Sequence, residues 1–284
     1  MTDRPVLVAL YAPADRPQRF GSALDAGADA VVLDLEDAVT ATRKDEARAT
    51  LSAFAEQWSA RDAEARPAVQ VRVNAPGSRW HDADIAAVLE LPDEFGIRLP
   101  KTQSAEQVRT VRAAAPGRGV HALLESALAV ERAFEIAGSG VASIAAGEAD
   151  LRSELGVPAG PIGEPGLAYS RARLVNAAAA AGLPAPLMAV WADVADLDGL
   201  ERSCRTGKTL GYAGRTAIHP RQIPVIRSVF TPAPAEVDRA RHILDRVASA
   251  AADGTGAFVL EDGTFVDVAM VRAAERIVAA APRA

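Results

Sequence analysis

The sequence holds a single cysteine, Cys204, in 284 residues, which excludes an intrachain disulfide framework and a multi-cysteine zinc site. No apolar run reaches the ~20 residues of a membrane-spanning helix. The opening stretch from Met1 to Pro17 carries an acid and is broken by prolines, unlike a signal peptide. Excess positive charge is missing as well. The 31 Lys and Arg against 37 Asp and Glu leave a net charge of −6, which disfavours broad binding to nucleic acid or to an anionic membrane. Together these absences predict a cytoplasmic protein. No glycine-rich dinucleotide fingerprint follows the first apolar run, and no internal repeat stands out.

What is present is an ordinary globular composition, 49% hydrophobic and 24% charged, in which short apolar runs alternate with longer amphipathic segments. Candidate strands are Val6–Tyr11, Ala30–Leu35, Val69–Asn74, Gly96–Pro100, Gly119–Leu124, Val141–Ala146, Leu187–Ala192 and Arg215–His219. Between them, Lys44–Trp58, Ser104–Ala114, Ser126–Ala137 and Tyr169–Ala181 carry apolar residues three or four apart and read as helices. This alternation predicts an α/β fold, a (β/α)8 TIM barrel rather than an open doubly wound sheet. The barrel is expected over residues 1–230. Thr231-Pro232-Ala233-Pro234 then reads as a stiff connector into a short C-terminal segment, residues 231–284. That segment contains a helix from about Glu236 to Ala251, a loop at Ala252–Gly256, a turn at Glu261–Thr264 and a last helix near Ala269.

Polar residues gather at the C-terminal ends of these strands, where barrel enzymes carry their chemistry. The second strand runs into Asp34, Glu36 and Asp37, the third carries Arg72 and Asn74, and Lys101, Glu125, Glu148, Asp150, Asp193 and His219 follow in turn. The three acids after the second strand can cap the next helix. Asp34, partly buried if it lies on a strand, also needs a partner such as Arg72. Arg72 therefore has two readings: a bidentate grip on a substrate carboxylate, or an ion pair with those acids. Glu125 and Asp150 close neighbouring strands. They either share a divalent cation or serve as a helix cap and a surface salt bridge. Because His121 sits at the other end of its strand, oxygen-only ligation would suit Mg²⁺ or Mn²⁺ rather than zinc. His219 reads as a base or as a hydrogen-bonded structural histidine, and Cys204 as packing.

These residues resemble the citrate lyase β-subunit and malyl-coenzyme A lyase family, the HpcH/HpaI aldolase group. The matching segments run in order along the chain: Ala28–Val39, Val71–Asn74, Leu99-Pro100-Lys101, Leu124-Glu125-Ser126, Gly147–Asp150, Gly211–Pro220 and Asp262–Asp267. The resemblance implies a barrel assembled as a homotrimer or hexamer, with the C-terminal segment acting as a lid on a neighbouring subunit. It also implies Mg²⁺ at Glu125 and Asp150, substrate carboxylate binding at Arg72, and Asp267 as the acid/base residue. Tyr11, Thr216 and Ala217 become wall contacts for the thioester arm.

The implied reaction is Mg²⁺-dependent cleavage of a citryl-, malyl- or citramalyl-type β-hydroxyacyl thioester, carried on coenzyme A or an acyl-carrier protein. It yields a keto acid such as oxaloacetate and an acyl thioester. Alternatives are an acyl-CoA thioesterase, or a keto-acid-binding subunit that works with an acyl-carrier partner and other citrate lyase subunits. Two departures bear on the thioester carrier. Ala14 stands where the family has a glycine, and Ser22 replaces a lysine near the coenzyme A phosphates, with Arg16 and Arg19 placed to compensate.

Overall fold

A computed structural model describes residues 5–252, 258–259 and 265–281. Two compact units divide it: Val6–Arg227 forms one, and the chain from Ser228 onward, with Pro5, forms the other.

The first unit is built on eight strands: β1 (Val8–Pro13), β2 (Ala30–Asp34), β3 (Ala68–Arg72), β4 (Gly96–Leu99), β5 (Val120–Leu124), β6 (Ser143–Ala146), β7 (Leu187–Met188) and β8 (Gly214–Ala217). They form one sheet in the order β6-β5-β4-β3-β2-β1-β8-β7. All seven ladders are parallel. Only the β6/β7 edge lacks a ladder, so the sheet makes a nearly closed TIM barrel with helices in the connections. All eight expected strands are present.

Differences from the sequence reading have local causes. β7 ends at Met188 because the carbonyls beyond it are claimed by side chains: Arg215 Nε donates to Ala189 O at 2.9 Å, and Gln222 Nε2 to Trp191 O at 2.8 Å. Arg215 is 1% exposed, and it also donates to Ser203 Oγ and to the buried Cys204 Sγ, which packs as expected. The expected helix Lys44–Trp58 is two helices, Lys44–Ala49 and Leu51–Ser59. At the break, Thr50 Oγ1 donates to Ala47 O and to Ala14 O, competing with the helical ladder.

Inside the barrel the strands differ in kind. Ala9, Ala30 and Val32 of β1 and β2 form an apolar cluster with Tyr11 and Leu187. On β3 to β6 the register aligns Arg72, Arg98, His121 and Ser143 on successive strands. Strand neighbours in register share a face, so this interior is polar. His121 Nδ1 meets Ser143 Oγ at 2.8 Å. The opposite side of its ring needs the missing side chain of Gly96, whose Cβ would lie 2.8 Å from His121 Nε2. Burial, and then the Arg98 cation, push the His121 imidazole down to about 3.

In the second unit, helices Pro234–Ala252 and Val268–Ala279 pack through Ala240, Ile243 and Ala274. The same unit contains β9 (Phe258–Val259) and β10 (Phe265–Val266), which pair antiparallel. Most of the expected loop after Ala252, and the expected turn at 261–264, lie outside the described residues. No helix among the described residues is long and apolar enough to cross a membrane.

Candidate active site

The C-terminal ends of the strands open into a cavity of about 760 Å³, lined among others by Tyr11, Asp34, Asp37, Arg72, Arg98, Glu125, Glu148, Asp150, Thr216 and His219.

On the β2/β3 side every charge is matched. Asp34, 2% exposed, receives Arg72 Nε at 2.8 Å and Nη2 at 2.6 Å as a bidentate pair. Its carboxylate also accepts the backbone N–H groups of Glu36 and Ala38, which fold the loop after β2. Arg72 Nη1 pairs with Glu36 Oε2 at 3.0 Å and with Asp37 Oδ2 at 3.2 Å. The ion-pair reading of Arg72 is therefore the geometry seen. Its remaining N–H hydrogens are what it can offer a ligand. Beneath the loop, buried Lys44 donates to Leu35 O at 2.6 Å and Glu36 O at 2.7 Å. Asn74, just after β3, donates to Leu35 O of the same loop and to Asp84 of the helix His81–Leu89, and so is structural.

Across the mouth, Glu125 directly follows β5 and Ser126 then caps the next helix by accepting from Ala129 N. Glu125 is 8% exposed, and no arginine pairs with it among the described residues. Its Oε2 accepts the Lys101 backbone N–H at 2.8 Å. Lys101 has φ 51°, the only positive φ outside glycine among the described residues, and this strained turn aims its N–H at Glu125. The other oxygen, Oε1, lies where a Cβ on Gly147 would stand, so a side chain there would displace the Glu125 carboxylate. Burial, and then the charge of Glu36, push the Glu125 carboxyl up to about 7. Asp150, in the first turn of helix Glu148–Leu155, keeps a side chain 53% exposed. Lys101 Nζ lies 3.0 Å from Glu36 Oε1 and 3.9 Å from Asp150 Oδ2, so one ammonium links the two sides of the mouth.

Other expected site residues take varied positions. Tyr11 and Thr216 line the cavity, as do Ser22 and Arg19. Strand alternation turns Ala217 away: it is fully buried, and Thr216 and Ile218 form the wall on either side of it. His219 accepts the Arg221 N–H at 3.1 Å through Nδ1, the hydrogen-bonded structural alternative. Asp267 belongs to the second unit, where it is exposed and caps helix Val268–Ala279 by accepting from Met270 N at 2.9 Å. Glu148 is held bidentate by Arg171 with both contacts at 2.7 Å, and Arg171 also binds Glu164.

Sequence reasoning missed Arg98, Arg171 and the roles of Lys44 and Lys101. A charge in the middle of the apolar run Gly96-Ile97-Arg98-Leu99 was the available signal for Arg98.

The donor set suits a hard dication. Glu125 Oε1 and the exposed Asp150 carboxylate are oxygen donors on one cavity, and neither is engaged by an arginine. Among the described residues no group of three or more acids, histidines or cysteines makes a full cage. Water and substrate would thus complete the shell, as Mg²⁺ prefers.

Charged side chains converging on the C-terminal mouth of a parallel barrel are the arrangement of a TIM-barrel enzyme. The chain belongs to the HpcH/HpaI aldolase/citrate lyase family, whose model matches residues 7–220. It is 32% identical to the (3S)-malyl-CoA thioesterase of Cereibacter sphaeroides, over 93% of this chain and 90% of that protein. It is also 32% identical to the citrate lyase subunit beta of Escherichia coli, over 91% and 87%. Among solved structures it resembles the CitE protein of Mycobacterium tuberculosis in complex with magnesium, acetoacetate and coenzyme A. There the TM-score is 0.76 and the identity 33%, over 97% of this chain and 98% of that one.

Proposed function

We propose that the protein is a Mg²⁺-dependent carbon–carbon lyase that cleaves a β-hydroxyacyl thioester into a keto acid and an acyl thioester. The observation that carries this reading is the pair Glu125 and Asp150, two carboxylates free of arginine on a cavity whose other acids, Asp34, Asp37 and Glu148, are each paired with one. Glu125 and Asp150 would hold the divalent cation, which when bound would supply positive charge to stabilise the oxygen of the keto-acid half.

The chain's own residues do the rest. Arg72, fixed by Asp34, presents its remaining N–H hydrogens to the substrate carboxylate and orients it before the bond breaks. Cleavage requires the 3-hydroxyl to lose its proton and the C2–C3 electron pair to pass to the thioester side, where the enolate carbon takes up a proton. Asp267, brought by the C-terminal segment of a neighbouring copy, is the residue that handles that thioester-side proton. Tyr11 and Thr216 flank the thioester arm. Assembly as a homotrimer or hexamer with residues 231–284 as a lid, and a cytoplasmic location, complete the proposal.

Hydrolysis of the thioester is a second reading, favoured by the likeness to a (3S)-malyl-CoA thioesterase. Incubation with Mg²⁺ and citryl-, malyl- and citramalyl-CoA separates them. The lyase releases oxaloacetate, glyoxylate or pyruvate, whereas a thioesterase releases coenzyme A and the hydroxy acid with no keto acid. Binding of a keto acid without turnover of any thioester would point to a subunit that needs an acyl-carrier partner.

A further inference from the structure

Arg72 and Arg98 are cross-strand neighbours in register on β3 and β4, and both line the cavity. Their surroundings differ sharply. Arg72 pairs with Asp34, Glu36 and Asp37. Arg98, only 4% exposed, forms no ion pair with any described carboxylate. The one hydrogen bond of its guanidinium among the described residues runs from Nε to Gln70 Oε1 at 2.8 Å, and its Nη1 and Nη2 groups meet no acceptor there. The two guanidinium carbons lie 5.0 Å and 5.8 Å from the centre of the same Tyr11 ring, which therefore sits beside both.

A guanidinium taken from water without an anion is costly, and a neutral amide with an aromatic face offsets only part of that cost. An apolar side chain would fill the same space more cheaply. The position makes sense when the cavity receives an anion. The unused Nη1/Nη2 edge is a fork matched to a planar carboxylate. The neighbouring Arg72, whose bidentate edge is taken by Asp34, cannot offer that fork.

Resting on the lyase reading above, we infer that Arg98 is a specificity-determining residue that binds a second carboxylate on the keto-acid half of the substrate. The keto acid released is then a dicarboxylate of the oxaloacetate type. A monocarboxylate such as glyoxylate or pyruvate, with its one carboxylate held at the Arg72 and metal end, leaves Arg98 unpaired in a closed site. Discrimination of this kind is strong because the wrong ligand strands a buried charge.

Calorimetric titration of the full chain with oxaloacetate and with pyruvate, both in Mg²⁺, tests this. The wild type should bind oxaloacetate at least about tenfold more tightly than pyruvate. Arg98→Met should remove that preference while leaving pyruvate affinity within about twofold, and Arg98→Lys, which keeps the charge, should retain part of it. Equal wild-type affinities would overturn the inference without any variant, as would a folded Arg98→Met protein that keeps the preference. Binding of neither keto acid would instead overturn the lyase reading, and this inference with it.

Discussion

The two sides of the barrel mouth are built from the same residue types and do opposite things with them. After β2 and β3, Asp34, Glu36 and Asp37 surround Arg72, and the loop is pinned from below by Lys44. After β5 and β6, Glu125 and Asp150 face the same cavity without an arginine. Glu148, two residues before Asp150, shows the contrast at closest range: its bidentate bond to Arg171 makes it part of the frame. The lesson is that a buried acid with an arginine is scaffold, whereas one without is available for a ligand. The same rule separates Arg72 from Arg98 with the signs reversed.

The largest effect that would break this comparison is on stability. Removing one member of a buried bidentate pair strands the other charge, so Asp34→Ala or Glu148→Ala should each cost about 3–5 kcal/mol in urea unfolding. A loss under about 1 kcal/mol, the range of exposed pairs, would show that these acids are not frame. A middle-sized effect separates chemistry from capping at Asp267. Asparagine caps a helix as well as aspartate, so Asp267→Asn should melt like the wild type yet slow cleavage by about 10²-fold or more. An unchanged rate would leave Asp267 with its cap alone. The smallest effect is the cap itself: Asp267→Ala should cost about 1 kcal/mol beyond the asparagine variant.

Much of this architecture was legible in the sequence. Alternating apolar runs and amphipathic segments located all eight strands, and the placement of Asp34, Arg72, Glu125 and Asp150 at strand ends put them on one rim. Periodicity reports how far along a strand a residue lies and which face it takes. It does not report which cation captures which acid, because that depends on side chains brought together from strands far apart in the chain. Arg72 with Asp34, and Arg171 with Glu148, are such pairings, and spacing left the first open and missed the second. Arg98 was missed because its strand reads as weak, four residues with a charge in the middle. The short β7 was overestimated because the bonds that end it come from Arg215 and Gln222, well downstream. The left-handed turn at Lys101 had no signal, since a lysine there carries no conformational signature.

The central claim is that the carboxylates lacking an arginine hold the metal. Titration of Mg²⁺ into the metal-free wild type, Glu125→Gln and Asp37→Asn tests it most directly, because both acids line the same cavity and only Asp37 is paired with Arg72. The account predicts that Glu125→Gln loses affinity by at least about tenfold while Asp37→Asn stays within about twofold of the wild type. Equal losses in the two variants, or none in Glu125→Gln, would contradict it.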